Sequence, residues 1–419
     1  MSDGRRAVLG WALYDWANSA FATTVIAGLF PVFFRECWSA GASDGAVTFR
    51  LGAANTAASL LVAVLAPAIG AVADRGSSKK RFLLAFTALG VLATAGLAAP
   101  PSGAWFPALA LFTTALVFWS AAISVYDALL PDVAGDRNLD RVSALGYALG
   151  YLGGGLLFAL NVLMVTRPAS FGLPDAGTAV RISFLTVAGW WALFTLPLAI
   201  SVRERAAAGA LRGLAAVRAG LRDLLAMVRE VRRYRHVALF LLAYWLYIDG
   251  VDTIIRMAVD HGRSLGLPAG SLITALLVTQ FVGFPAAIAF GWFGQRIGTR
   301  RGIFLGLAVY CGVTLWGAFL TEVWEFYALA VAVGLVQGGV QALSRSFFAR
   351  LVPPDRSATF FGFYNMVGKY ATILGPVILG GVKLATGSAR IGIASILVLF
   401  VAGGVLLSFV RDPAGSGER

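Results

Sequence analysis

Charged or Pro/Gly-rich breaks interrupt this chain at intervals, and between them lie apolar runs of roughly 18–25 residues. That length is what a helix needs to cross the hydrocarbon core of a bilayer, and a chain made of such runs has few other folds open to it. Charged residues are 13% of the 419, against about 25% in soluble domains, and the mean hydropathy is +0.79. The fold class is therefore an all-α polytopic membrane protein. Twelve spans are predicted, near 8–34, 51–73, 82–99, 104–128, 142–166, 182–202, 237–258, 270–291, 302–321, 325–349, 358–382 and 391–410. The glycines of "LGYALGYLGGG" (Leu145–Gly155) are expected to let neighbouring helices approach closely.

The net charge of +13 does not point to nucleic acid, because its distribution is lopsided. With the N-terminus inside and twelve spans, 24 of the 34 Lys and Arg fall in cytoplasmic segments, seven outside and three within spans (Arg256, Arg345, Lys369). This is the positive-inside asymmetry, with basic segments facing anionic headgroups. It predicts an inner-membrane protein with both termini cytoplasmic, and a monomer is expected. Cys37 and Cys311 form no disulfide framework, His236 and His261 lie near span ends, and no metal or other cofactor is expected. "MSDGRR" does not introduce a signal peptide, because the first apolar run is too long and too polar to be cleaved off.

The longest interior polar stretch, 203–236, holds nine arginines against Glu204, Asp223 and Glu230, and its apolar residues recur at three- and four-residue intervals. It reads as an amphipathic cytoplasmic linker lying on headgroups, with a regulatory role as the alternative. The linker separates a six-span half at 1–202 from another at 237–410, followed by a tail at 411–419. The halves repeat each other. "GAVADRGSSKKR" (Gly70–Arg81) aligns with "GWFGQRIGTRRG" (Gly291–Gly302) at an offset of 221, which pairs Gly70 with Gly291, Asp74 with Gln295 and Arg75 with Arg296. "WALYDWANS" aligns with "WLYIDGVDT" at an offset of 234, pairing Trp11 with Trp245, Asp15 with Asp249 and Asn18 with Asp252. An extra-long first outer loop, Arg35–Arg50, is expected to absorb the 13-residue difference.

The Gly70–Arg81 turn resembles the loop signature of the major facilitator superfamily, with Ser77–Ser78 in place of the usual Gly-Arg. Further stretches look like its vacuole effluxer-like branch, related to the fungal autophagy-linked amino-acid exporter. They are "YDWANSAF" (14–21), "YDALLPDVA" (126–134), "SALGYALGYLGGG" (143–155), "YIDGVDTI" (247–254), "GLVQGGVQALSRSFFARLVP" (334–353) and "FFGFYNMVGKYATILGP" (360–376). The resemblance implies a twelve-helix alternating-access carrier, with amino acids or related zwitterions as substrates and export as the direction. It also implies that Asp74 and Arg75 latch the cytoplasmic helix ends. Gln295 has lost the charge, so the second latch is expected to be weaker.

Charged residues inside spans are costly and usually face a bundle interior or a wet cavity. Asp15, Asn18 and Ser19 share one helical face, and Asp249, Asp252, Thr253 and Arg256 share the equivalent one. Two such stripes predict a cavity between the halves, although Asp15 could instead lock packing and Asp252 could pair with Arg256 one turn on. Asp249 has no basic neighbour in its own run, which makes it the better proton carrier. Gln337, Gln341 and Arg345 fall on one side of the tenth span; Arg345 either contacts substrate, closes an inner gate or meets headgroups. Lys369 binds a substrate carboxylate, pairs with an aspartate or carries a proton. Asp127 is expected to cap or gate, and Tyr247, Tyr244, Trp119, Trp190 and Trp191 to line the cavity or pack. No phosphate-cradling loop and no nucleophile–base set is present, so neither ATP coupling nor an enzyme is expected. The reading is a secondary active transporter of a small-molecule substrate, coupled to protons or to sodium, or a uniporter. A multidrug exporter and a non-transporting sensor or scaffold are the alternatives.

Overall fold

Backbone groups buried in lipid must bond within their own segment, and the apolar runs obey this. A computed structural model of the chain describes residues 3–135, 138–204, 211, 213–229, 234–264, 269–320, 322–371 and 373–411. Among them every regular element is helical. Ten helices are long and apolar enough to span a membrane. The first is Asp3–Trp38, the second Gly45–Gly76, the fourth Trp105–Ala134, the fifth Leu139–Thr166 and the sixth Ala176–Ser201. The second half continues with Arg235–Ser264 as the seventh, Ala269–Ile297 as the eighth, Thr299–Ala318 as the ninth, Val323–Leu351 as the tenth and Arg390–Ser408 as the twelfth. Lys79–Gly96, which opens on three basic residues, is the third. Ser357–Tyr370 and Leu374–Thr386 together make the eleventh. A linker helix, Gly213–Arg229, lies between the sixth and the seventh.

The chain forms two compact units. Unit 1 comprises Met1–Val133, Leu149–Leu221 and Ala358–Gly362; unit 2 comprises Ala134–Ala148, Arg222–Ser357 and Phe363–Arg419. Inside unit 1 the first span packs on the sixth, and the fourth on the second and third. Inside unit 2 the seventh packs on the twelfth, and the tenth on the eighth and ninth. The pairs correspond position for position, so the repeat read from two motifs is a repeat of packing.

Two expectations need correction. The first outer loop is not long, because the first helix continues to Trp38 and the second begins at Asp44, leaving only Ser39–Ser43 between them. The additional residues are taken up by helix, part of it wide π turns at Phe21–Leu29 and Phe34–Trp38, which use more residues per turn than an α-helix. The eleventh span is also not continuous. Its first segment ends at Tyr370 and helix resumes at Leu374. Pro376 explains the break: proline has no N–H and its ring clashes with the carbonyl four residues back, so it is tolerated in a first turn but not in a helix interior.

The glycines of the fifth span do what their spacing suggested. A methyl group on Gly153 would meet the Trp16 carbonyl at 2.8 Å, and one on Gly154 would meet the Ser19 carbonyl at 3.0 Å. The first span therefore lies directly against the fifth within unit 1.

Candidate functional site

The polar stripe of the first span points into unit 1. Asp15 is 8% exposed and accepts a hydrogen bond from the Tyr126 hydroxyl at 3.2 Å. Tyr126 is itself held by Trp11, whose indole donates to the Tyr126 carbonyl at 3.1 Å and stacks on its ring at 4.4 Å. Asn18 donates to the Tyr14 carbonyl of its own helix at 2.8 Å. Trp119 donates to the Asn18 carbonyl and Trp190 to that of Trp16, each at 3.3 Å, so these tryptophans brace the first span. Asp127 is buried near the C-terminal end of the fourth span.

The seventh span carries the more consequential carboxylate. Asp249 is fully buried. Its Oδ2 accepts the backbone N–H of Ile373 at 3.2 Å and of Leu374 at 2.8 Å, and its Oδ1 accepts that of Gly375 at 2.8 Å and the Thr253 hydroxyl at 3.2 Å. A helix leaves its first four N–H groups without internal partners. At the restart of the eleventh span these belong to residues 373–376; Asp249 takes three and Pro376 lacks the fourth. The carboxylate also sits at the positive end of the helix dipole. Gly375 is required there, because a methyl group would collide with Thr253 and come 2.8 Å from Asp249 Oδ1.

Around it, Tyr247 is buried and shares a 2.7 Å hydrogen bond with Ser344, while Asp252 and Gln341 are half-buried. Gln337 lines an apolar cavity of about 170 Å³ inside unit 2, together with Ile254, Gln280, Thr314, Leu329 and Ile396. The side chains of Arg256 and Lys369 lie outside the described residues.

Arg345 bonds to the start of the fifth span. It is 2% exposed, donates from Nε to Ser143 Oγ at 2.9 Å and from Nη2 to the Ser143 carbonyl at 2.8 Å, and lies 4.3 Å over the Tyr147 ring. Beside it, Asp140 in the first turn of the fifth span binds Arg350 through both oxygens at 2.9 Å and accepts from Thr299 at 2.9 Å and from Ser346. Gly291 lets this turn approach, since a methyl group there would strike Ala144.

The corresponding place in unit 1 is built around Asp74. It accepts the N–H of Ala358 at 3.0 Å and the N–H and hydroxyl of Thr359 at 2.8 Å each, which caps the eleventh span. Lys79, buried, lies 3.8 Å from Asp74 and 3.3 Å from Asp132. Gly70 makes room for Ala358, because a methyl group would collide with its carbonyl. Arg75 and Arg296 differ from Asp74 in being exposed; Arg296 lies 3.6 Å over the Trp292 ring. On this side the buried carboxylate is Asp140, bonded to Arg350. Thr299 lies within "GWFGQRIGTRRG", and Ser346 and Arg350 within "GLVQGGVQALSRSFFARLVP", but nothing in those stretches singled them out, and Asp140 falls outside every motif. Tyr126 was visible only as part of "YDALLPDVA".

These features, buried carboxylates in repeated spans and paired clusters at matching span ends, agree with the comparisons to known proteins. A family profile described as "Vacuole effluxer Atg22 like" matches residues 53–139 and 136–418. The chain belongs to the Atg22-like vacuole effluxer family. An MFS-type transporter of Bacillus subtilis (strain 168), YxiO, named as uncharacterized, is 37% identical over 404 residues, 96% of this chain and 94% of that one. Autophagy-related protein 22 of Gibberella zeae is 25% identical over 66% of this chain, which spans only 45% of the fungal protein. The fold is that of the human organic anion transporter MFSD10 (TETRAN), with a TM-score of 0.72, 17% identity and coverage of 97% of this chain and 100% of that one. This Atg22-like chain is accordingly a multi-pass membrane transporter of the major facilitator superfamily and not an enzyme.

Proposed function

We propose that the Atg22-like chain exports an amino acid or related zwitterion by proton-coupled alternating access, as a monomer in the cell's inner membrane with both termini cytoplasmic. The observation that carries this reading is the pair of buried carboxylates at repeated positions, Asp15 bonded to Tyr126 and Asp249 bonded to the broken eleventh helix. Asp249 joins a buried carboxylate to the backbone of a discontinuous span. Discontinuous helices with their N-termini on anionic groups are a recurring device of secondary transporters. Asp252, half-buried on the same face, is assigned to the substrate amine and Lys369 to its carboxylate. The Asp74 and Asp140 clusters, which join early and late parts of the sequence, are the ties that must open and close during the cycle.

The test is uptake into proteoliposomes from a panel of radiolabelled amino acids, with and without an imposed pH gradient. Gradient-driven movement of at least one, lost or made pH-insensitive in Asp249→Asn, is the expected result. Movement of lipophilic cations with no amino acid transported would defeat the substrate assignment in favour of a multidrug exporter.

A further inference from the structure

The linker helix Gly213–Arg229 plays no part in the function proposed above, yet it is tied to the first latch at several points. Ala216 and Gly220, one turn apart, are buried. A methyl group on Gly220 would come 2.8 Å from the backbone of Ala71 and Val72, so the helix rests directly on the inner end of the second span. Just ahead of it, Leu211 N donates to the Arg75 carbonyl at 3.0 Å. Before that, Lys80 Nζ donates to the Val202 carbonyl at 2.8 Å, and Glu204 accepts the backbone N–H groups of Lys79 and Lys80. These contacts all bear on Gly70–Lys80, the segment that presents Asp74 to Ala358 and Thr359.

The rest of the helix surface is differentiated. At about 100° per residue, Leu214, Val217 and Leu221 cluster within roughly 60° of one another, away from the docked face. All three are exposed, Leu214 at 76%. Arg218 and Arg222, also exposed, follow immediately around the helix. Between 203 and 236 there are nine arginines and three acidic residues. The helix touches the second span close to its end at Gly76, and the sixth span ends at Ser201, so both place it at the depth of the headgroups.

We propose that Leu214, Val217 and Leu221 insert into the headgroup–acyl boundary of an anionic leaflet while Arg218 and Arg222 bind lipid phosphates, and that this lipid contact tightens the Asp74 latch through Gly220 and Leu211. An exposed apolar strip flanked by arginines matches an interfacial helix. The proposal concerns the latch and does not depend on which solute is carried.

The test needs no transport assay. Leu214→Cys in a Cys37→Ser/Cys311→Ser background carries a polarity-sensitive fluorophore, and the full chain is reconstituted in phosphatidylcholine vesicles with or without about 30% phosphatidylglycerol. The label is expected to be shielded from acrylamide in anionic vesicles and open in neutral ones. Each arginine near an anionic surface is worth roughly a five-fold change in partition, so Arg218→Gln/Arg222→Gln should lower the shielded-to-open ratio by about twenty-five-fold. Hydrogen exchange at the Ala358 and Thr359 amides should slow in anionic vesicles, and the double variant should abolish that slowing. Equal shielding in both vesicle types, or shielding that appears only when soluble protein is added, would overturn the lipid assignment. Lipid-dependent shielding with unchanged exchange at Ala358 and Thr359 would overturn the coupling to the latch.

Discussion

Replacing Asp249 with asparagine tests how the eleventh span is held together. The carboxylate accepts three backbone N–H groups at 2.8–3.2 Å in a fully buried position. Hydrogen bonds to a charged acceptor contribute about 1.5–3 kcal/mol each and neutral ones about 0.5–1.5. Asparagine keeps one oxygen, so the expected loss is on the order of 2–4 kcal/mol from charge alone, within a total stability of about 5–15 kcal/mol. Alanine leaves all three donors without the carboxylate, at about 1–3 kcal/mol apiece, and is expected to cost more. The readout is native-state hydrogen exchange at Ile373, Leu374 and Gly375, together with thermal unfolding in detergent. Protection at these three amides should fall roughly thirty- to a thousand-fold in Asp249→Asn, with little change in the tenth span. The clamp argument fails if those amides remain as protected as in the parent while transport is lost. Asp249 would then act only as an ion carrier.

Asp140 and Arg350 form a buried bidentate pair, with side chains 2% and 15% exposed. Removing either partner should cost about 3–5 kcal/mol, while Asp140→Asn/Arg350→Met should cost much less than the sum; additive losses in a thermal double-mutant cycle would show that the pair is not coupled. Ser77 is the one non-glycine residue described with a left-handed backbone, at φ 44°, where the superfamily signature has glycine. Ser77→Gly should therefore raise stability by roughly 0.5–1 kcal/mol, and a fall in melting temperature would count against strain there. Burial pushes the Glu204 carboxyl above its ordinary value of 4.5, opposed by the amides of Lys79 and Lys80 and the Lys79 charge, and reinforced by Asp132. A raised acid favours the folded state when protonated, so its cost to stability appears as pH rises through the raised value. Glu204→Gln should accordingly melt higher than the parent near neutral pH and match it below about 4.5; a lower melting point at neutral pH would reverse the sign.

The sequence by itself determined the all-helical membrane class and the family. Both depend on local quantities, the length of an apolar run or a motif read along the chain. Gly70 and Gly291 were legible for that reason, and so was Asp74. The spacing of polar residues also placed Asp15 and Asp249 on matching faces before any contact was known. The tertiary structure alone decided what those faces meet. Asp249 bonds to amides some 125 residues away along the chain, and Asp140 to an arginine 210 residues away. Pro376 was in plain view, but whether a proline kinks a span or divides it depends on whether a neighbouring helix accepts the freed N–H groups, and here Asp249 does. Asp140 makes the same point. A carboxylate's place in the sequence says nothing about its partner, because electrostatic partners are chosen by proximity in space, and proximity is set by how the helices pack.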